Sequence, residues 1–234
     1  MRASPIAAFA ILLLGTGMMS PQANSSVEVR AQLSFAKSPE RHHAPSAVLW
    51  LTPVGETPAA PFVSSQTHTL LQKNRTFKPH VLVVPVGGIV QFPNADPFFH
   101  NVFSLFDGRR FDLGLYEAGS TKSVTFSREG VSYIFCNIHP EMSAVILALS
   151  TRLFSIAGSS GTFHIPDAPS GEYEVHVWIE GVQQPALNNL TRRVHLSAAV
   201  TDLGKFEIPG GLPQPTSHTN MYGQPYDRET KPAY

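Results

Sequence analysis

Four side chains in the middle of the chain carry donor atoms that a transition metal binds. Cys136, His139 and Met142 follow one another at three-residue steps, and His100 lies upstream of them. Together they offer one thiolate, two imidazoles and one thioether, and Cys136 is the only cysteine of the chain. A thiolate, two imidazoles and a weak axial thioether form a donor set that suits copper. The spacing therefore predicts a mononuclear copper site held by these four residues.

Other interpretations of the same residues are weaker. A lone cysteine is often only a small buried apolar side chain, and a Cys-x-x-His pair alone indicates zinc as readily as copper. Met142 and the upstream histidine favour copper, because structural zinc sites are built from cysteine and histidine and commonly use a second cysteine. Glu141 lies inside the same loop, so its carboxylate is an alternative axial donor to Met142.

The segments around the motif indicate how one site could collect these donors. Cys136 ends the apolar run 131–135, which predicts that it lies at the end of a β-strand. His139 and Met142 follow in a tight loop whose freedom Pro140 restricts. A loop fixed between two strands presents its donors to one point, with little conformational freedom left to lose.

A second loop is expected to reach the same end of the sandwich. His100 directly precedes a strand that we expect to begin near Asn101. Asp96 is interpreted as a turn residue. The phenylalanines around His100 are interpreted mainly as core side chains, and Phe98 and Phe99, which precede the ligand, are the alternative candidates for an apolar rim where a redox partner docks.

This pair of elements, His100-Asn101 and Cys136-x-x-His139-x-x-Met142, resembles the type 1 copper site of the cupredoxins. The short ligand loop is most similar to that of the amicyanins, and exported chains of this kind are often called methylamine utilization proteins. The resemblance implies that His100, Cys136 and His139 are equatorial copper ligands and that Met142 is the axial one. It also implies that Asn101 ties the two ligand loops together and donates a hydrogen bond towards the thiolate.

Short alternating segments predict strands over most of the remaining chain. Strands are predicted over 27–35, 47–51, 81–84, 89–92, 101–105, 122–126, 131–136, 144–149, 162–165, 171–180, 193–196 and 203–208. Glycine and proline separate them at roughly ten-residue spacing, which is typical of an all-β sandwich. No segment carries a sustained helical periodicity, so little helix is expected.

The C-terminal third resembles a different domain. Residues 161–178 are similar to the carboxypeptidase-regulatory-like, or transthyretin-like, β-sandwich, a resemblance that implies no chemistry. We therefore predict an all-β fold, with a cupredoxin-like Greek-key β-sandwich and a second small β-sandwich of the immunoglobulin or transthyretin type. The predicted organisation is a signal peptide over 1–23, N-terminal strands over 24–66, the cupredoxin domain over 67–150, the second sandwich over 151–209 and a flexible tail over 210–234. The strands of 24–66 either extend the copper domain or complete the second sandwich.

The N-terminal segment indicates where the protein is located, and the charge balance limits the kinds of partner it is expected to bind. Arg2 and the apolar stretch 6–14 are typical of a secretory signal peptide, and the stretch is too short to span a bilayer, which takes roughly 20 apolar residues. A periplasmic or secreted location is expected, with no stable membrane span after cleavage. The 17 basic residues balance the 17 acidic ones, so nothing indicates nucleic-acid binding.

The predicted function is one-electron transfer by a type 1 copper protein that is not itself an enzyme. One copper ion per chain is expected to cycle between Cu(I) and Cu(II), and the redox partner is expected to be a protein of the cytochrome or dehydrogenase type. Two alternatives stay open at this point. One is copper delivery or storage without redox turnover, and the other is a β-sandwich interaction module that no longer binds metal.

Overall fold

The computed structural model describes residues 26–35, 44–57, 59–62, 67–105, 108–208 and 220–224. The predicted signal peptide and most of the predicted tail lie outside these ranges. Within them, no helix has both the length and the apolar character needed to cross a bilayer.

Strands dominate the described residues, which confirms the all-β prediction. In chain order the elements are β1 (Ser26–Phe35), β2 (Ala47–Pro53), β3 (His68–Thr69), β4 (Leu71–Lys73), β5 (Thr76–Lys78), β6 (Val81–Pro85), β7 (Gly88–Pro93), β8 (His100–Ser104), β9 (Phe111–Tyr116), β10 (Thr121–Phe126), β11 (Gly130–Phe135), β12 (Ser143–Leu149), β13 (Phe154–Ile156), β14 (Thr162–Pro169), β15 (Gly171–Ile179), α1 (Gln184–Asn188), β16 (Arg192–Leu196) and β17 (Val200–Ile208).

The middle of the chain folds into two sheets that pack against each other. The larger sheet has the strand order β6-β12-β11-β8-β9, and the smaller one has the order β10-β7-β3. Because side chains alternate between the two faces of a strand, each sheet turns one apolar set inwards. Val90 and Phe126 of the smaller sheet share one core with Val84, Val102 and Ile146 of the larger sheet. We call this unit the middle sandwich.

The first two strands pair with the last ones rather than with the middle of the chain. β1 lies between β14 and β17, and another sheet has the order β13-β2-β15-β16. β1 runs antiparallel to β14 and parallel to β17. Val29 and Phe206 of one sheet share a core with Leu49 and Val175 of the other. These two sheets form what we call the outer sandwich, and the domain boundaries within the chain stay predictions.

Strand β12 joins the two sandwiches because both of its faces are buried. Ala144 and Ile146 belong to the core of the middle sandwich, whereas Val145 and Leu147 belong to the core of the outer sandwich. A strand with one solvated face would alternate apolar and polar residues, but a strand covered on both faces is apolar throughout. The uninterrupted apolar run 144–149 of β12 therefore follows from its position between two cores.

Polar contacts cross the same boundary. Trp178 of the outer sandwich donates a hydrogen bond from Nε1 to the Tyr133 hydroxyl at 3.2 Å. The His80 Nε2 atom lies 2.8 Å from a carboxylate oxygen of Glu180, and the His80 Nδ1 atom lies 3.2 Å from the carbonyl oxygen of Ser143. Ser143 opens β12 directly after the predicted ligand loop. The outer sandwich is thus connected through His80 to the end of that loop.

Short or irregular segments account for the elements that the sequence does not predict: β3, β4, β5, β9, β13 and α1. β9 contains Gly114 at φ 63°, and the register opposite it shifts between Asn101 and Phe103, so its alternation is broken. The hairpin of β4 and β5 has only three residues in each strand. Its turn residues Asn74 and Arg75 have φ of 56° and 54°, the left-handed conformation of a two-residue hairpin turn.

Candidate metal centre

The loop over 136–142 is closed by its own backbone hydrogen bonds. Cys136 directly follows β11, and its N–H donates to the carbonyl of Met142 at 3.3 Å. The N–H of Met142 in turn donates to the carbonyl of His139 at 3.0 Å. The loop connects β11 to β12, which pair with each other. The side chains of Cys136 and His139 are therefore carried on a short connection between two paired strands.

The second imidazole comes from the neighbouring strand. His100 is the first residue of β8, which pairs with β11. Its Nδ1 atom lies 3.1 Å from Nδ1 of His139 and 3.8 Å from Sγ of Cys136. Sγ of Cys136 lies 3.5 Å from Nδ1 of His139. The structure thus brings three of the four predicted ligands together, and all three are buried.

The triangle formed by these three atoms has the size of a metal site. The point in the plane of the three atoms that is equally far from all of them lies about 2.0 Å from each atom. That distance is close to the length of a metal–imidazole bond and slightly shorter than a typical metal–thiolate bond. The candidate ligand atoms of the three residues all lie within 4.8 Å of one another. Among the described residues, no other group of three or more histidine, cysteine or carboxylate side chains lies as close together. The donor set and its spacing therefore fit a mononuclear transition-metal ion.

The two candidate axial donors have different surroundings. Met142 is fully buried and packs in the same apolar cluster as Cys136. The side chain of Glu141 is exposed and does not belong to the buried group of donors. A thioether is favourable in an apolar interior, whereas a carboxylate is costly to bury. Burial therefore favours Met142 over Glu141, and the axial role of Met142 stays a prediction.

A buried carboxylate orients His100, a role that the sequence does not predict for it. The Oδ2 atom of Asp96 lies 2.8 Å from Nε2 of His100. The same carboxylate accepts the backbone N–H groups of Asn74 at 2.6 Å and Arg75 at 3.0 Å. With the Nε2 proton held by Asp96, the lone pair of Nδ1 is free to bind a metal. Asp96 is therefore more than a turn residue: it links the β4–β5 turn to His100.

The side chain of Asn101 lies between the two ligand loops. Its Oδ1 atom accepts the backbone N–H of Asn137 at 3.2 Å, and its Nδ2 atom donates to Asp112 at 2.7 Å. Both ends of the amide are thus hydrogen-bonded, and Asn101 is buried. The contact with Asn137 joins the segment that carries His100 to the loop that carries Cys136.

Burial changes the acid–base behaviour of the donors. Burial raises the pKa of the Cys136 thiol, although backbone hydrogen bonds from Asn101, Ile138 and His139 act in the opposite direction. Burial also lowers the pKa of His139, and electrostatic repulsion between the two imidazoles, His139 and His100, lowers it further. A thiol and a neutral imidazole can both bind a metal once the thiol loses its proton. Metal binding is therefore expected to release a proton from Cys136 at neutral pH.

The pKa of Asp96 reflects two opposing effects. Burial opposes its ionisation, but hydrogen bonds from the backbone of Arg75, from His100 and from the backbone of Asn74 outweigh that cost, and the pKa is lowered. Asp96 is consequently an anion at neutral pH. The negative charge of the Asp96 carboxylate, which lies next to Nε2 of His100, makes the imidazole a more basic ligand.

Apolar side chains surround the site and reach the surface beside it. The ring of Phe98 contacts the rings of His100 and His139, with centroid separations of 5.2 Å and 5.7 Å. Phe98 is half-buried, whereas the neighbouring Phe99 and the loop residue Ile138 are 50% and 41% exposed. His139 itself retains 6% exposure. One edge of the site therefore lies just below an apolar surface.

Comparisons with known proteins give structural likenesses only. A scan against protein-family models finds no match, and a search of curated proteins finds none either. Among solved structures, a copper-containing nitrite reductase from Thermus scotoductus SA-01 is 25% identical, over 42% of this chain and 28% of that one, with a TM-score of 0.35. The match thus spans less than a third of the nitrite reductase chain.

Two smaller proteins, a cupredoxin and an amicyanin, are similar over nearly their whole length. A purple cupredoxin from Nitrosopumilus maritimus is 22% identical, over 35% of this chain and 99% of that one, with a TM-score of 0.32. A reduced amicyanin variant is 21% identical, over 42% of this chain and 98% of that one, with a TM-score of 0.34. Each likeness covers less than half of the chain, so the metal assignment rests on the donor geometry.

Proposed function

We propose that the protein binds one copper ion and carries single electrons between redox partners. The observation that supports this proposal is the buried triangle of Nδ1 of His100, Sγ of Cys136 and Nδ1 of His139. One thiolate and two imidazoles, with a thioether as a weak fourth donor, form the donor set of copper sites that transfer electrons. Bound copper would supply the one-electron couple between Cu(I) and Cu(II).

The residues around the triangle suit a site that changes little between two oxidation states. Asp96 fixes the ring of His100, and Asn101 fixes the backbone of the ligand loop. Both side chains are buried, and so are the three donors. Ligands that are already in place need little rearrangement when the metal gains or loses an electron. Low rearrangement favours fast electron transfer.

The proposed exit for the electron is the edge of His139. His139 lies under the apolar surface that includes Ile138 and Phe99, so a partner can approach it by apolar contact. The chain has no net formal charge, which argues against long-range electrostatic steering as the main means of recognition. We propose a periplasmic or secreted location and a partner of the cytochrome or dehydrogenase type.

Absorption and electron paramagnetic resonance spectra of the recombinant mature protein with Cu(II) test this function. We expect an intense thiolate-to-copper band in the visible and a signal that disappears on reduction and returns on oxidation. The matched control is Cys136→Ser, which keeps the size of the side chain but removes the thiolate, and should lack the band. Copper binding without that band would support a delivery or storage role. No copper binding at all would indicate an interaction module.

A further inference from the structure

A small turn from the C-terminal part of the chain contacts the ligand loop. The side chain of Asn220 accepts the backbone N–H groups of Tyr222 and Gln224, each at 3.0 Å. The N–H of Gly223 donates to the carbonyl of Asn220 at 2.9 Å, and the N–H of Asn220 donates to the carbonyl of Gln224 at 2.9 Å. Asparagine closes turns in this way because its amide hydrogen-bonds to the backbone two residues further on. The turn of 220–224 is therefore held by its own hydrogen bonds.

One residue of this turn is bonded to the ligand loop. The backbone N–H of Met221 donates to Oδ1 of Asn137 at 2.9 Å, and the contact is partly buried. Asn137 lies directly after Cys136, and its own N–H is bonded to Oδ1 of Asn101. Asn101 is bonded in turn to Asp112 of β9. A chain of hydrogen bonds thus runs from the C-terminal turn, through the ligand loop, to the sheet of the middle sandwich.

We propose that the turn of 220–224 is a clamp that positions the copper-ligand loop. The backbone of Asn137 is held from the inside by Asn101, and its side chain is held from the outside by Met221. With both groups bonded, Asn137 cannot rotate without breaking a hydrogen bond. The loop of 136–142 is therefore stiffer than its short length alone would make it. The effect on the metal site rests on the proposed function, whereas the effect on the loop does not.

Met221→Pro tests the clamp because proline has no backbone N–H to donate. The hydrogen bond from Gly223 to Asn220 closes a four-residue turn in which Met221 is the second residue, a position that proline favours. Met221 is not among the residues with a positive φ, so its backbone is not in the region that proline cannot adopt. Met221→Ala is the matched variant, since it shortens the same side chain and keeps the N–H group.

Hydrogen exchange of the metal-free protein is the first measurement. Loss of one hydrogen bond of ordinary net strength corresponds to about a fivefold change in an opening equilibrium. Amides of 136–142 should therefore exchange about fivefold faster in Met221→Pro than in the wild type, whereas Met221→Ala should exchange like the wild type. Equal exchange in the two variants would overturn the proposal. So would an increase of the same size in strands far from the loop, because it would indicate general destabilisation.

A second measurement separates positioning from stability. The copper-loaded Met221→Pro variant should release copper to a chelator about fivefold faster and should differ from Met221→Ala in reduction potential. A purely structural role would leave the potential unchanged. If the wild type binds no copper, the proposed function is wrong, but hydrogen exchange of the metal-free protein still tests whether the turn of 220–224 restrains the loop.

A double-mutant cycle assigns the effect to the contact itself. Asn137→Ala removes the acceptor, and it also serves as the test if the proline variant does not fold. If Met221 and Asn137 act through one hydrogen bond, the double variant should exchange no faster than the more affected single variant. Additive effects would show that the two residues act separately and would overturn the clamp.

Discussion

The two sandwiches contain the same kind of strands but differ in what they bury. The buried polar and charged residues of the described chain all lie between positions 72 and 151, within or directly beside the middle sandwich. His100, His139, Asp96 and Asn101 are among them. In the described strands of the outer sandwich, the buried residues are apolar, and the ion pair of His195 with Glu172 is exposed.

This contrast indicates that the polar residues buried in the middle sandwich contribute less to stability than apolar residues would in their place. An unpaired polar group in an apolar interior is unfavourable, and a hydrogen-bonded one contributes little net stability. The polar groups around the triangle are bonded to one another, and their arrangement serves to orient two imidazoles and one thiol. The apolar interior of the outer sandwich contributes stability through the burial of apolar surface. Substitutions in the two regions should therefore have different consequences.

The largest change in stability is expected in the apolar interior. Leu49 is fully buried in β2, and Leu49→Ala should lower the free energy of unfolding by about 2–5 kcal/mol, because it removes apolar contacts and leaves a cavity. Chemical denaturation of the metal-free protein measures this change. The absorption spectrum of the copper-loaded variant should remain that of the wild type. Ile156→Ala, at a residue that is 44% exposed in the same sandwich, is the control and should change stability far less. A changed spectrum in Leu49→Ala would contradict the division of roles.

A smaller change in stability but a specific loss of metal affinity is expected at Asp96. Asp96→Asn keeps the shape of the side chain but removes the charge at Nε2 of His100 and one of its acceptor oxygens. Copper affinity should fall by about 10–100-fold, the usual effect of removing such a partner from a metal-bound histidine. Competition with a chelator of known affinity measures it. Asp167→Asn, at an exposed residue of the outer sandwich, should leave affinity unchanged. Unchanged affinity in Asp96→Asn would mean that the carboxylate serves only the β4–β5 turn.

Met142 should affect the potential of the site more than its occupancy. Met142→Gln replaces the buried thioether with an amide oxygen, and in such sites the axial donor is weak and tunes the potential. The variant should still bind copper and keep the thiolate band, while voltammetry should show a shifted reduction potential. Loss of all copper binding would show that Met142 is needed for binding itself. An unchanged potential would place the thioether outside the metal's reach.

The smallest effect is expected at the ion pair that joins the two sandwiches. Hydrogen bonding and charge from Glu180 raise the pKa of His80, and His80 lowers the pKa of Glu180. The histidine contributes stability that is lost as pH rises through its raised pKa, and the carboxylate contributes stability that is lost as pH falls through its lowered pKa. Both contributions are therefore present together at about pH 5.5, between the ordinary values for the two groups.

Glu180→Gln measures this contribution. The difference in Tm between wild type and variant should be larger at about pH 5.5 than at about pH 8, and the contribution should stay below about 1 kcal/mol because both side chains are more than a third exposed. Glu207→Gln changes an exposed carboxylate of the same sandwich and is the control. If the difference in Tm between wild type and Glu180→Gln instead grew towards pH 8, the result would contradict a stabilising His80–Glu180 ion pair.

Local patterns predict much of this molecule, and long-range contacts account for most of what they miss. Alternation is sufficient to predict β15, an uninterrupted apolar run is sufficient to predict β12, and the spacing of Cys136, His139 and Met142 indicates a shared loop. The role of Asp96 is different, because it depends on a β4–β5 turn that the sequence does not predict. A carboxylate four residues before a candidate histidine ligand was the only available signal.

Two other features also depend on contacts between distant parts of the chain. The pairing of β1 with β14 and β17 joins the first described strand to strands near the C-terminus, and no local pattern specifies it. The prediction of a flexible tail over 210–234 takes no account of the turn at 220–224, whose contact with Asn137 spans 84 residues. The remainder of that tail lies outside the described residues.

X-ray absorption at the copper K edge tests the central claim most directly, because it reports the atoms bound to the metal. The copper-loaded protein should show one short bond to sulfur and two bonds to imidazole nitrogen for each copper ion. Cys136→Ser should lose the short sulfur bond while two imidazole bonds remain in whatever copper it retains. A wild-type spectrum with no sulfur bond, or with only one imidazole, would contradict the assignment of His100, Cys136 and His139 as the donors of one copper site.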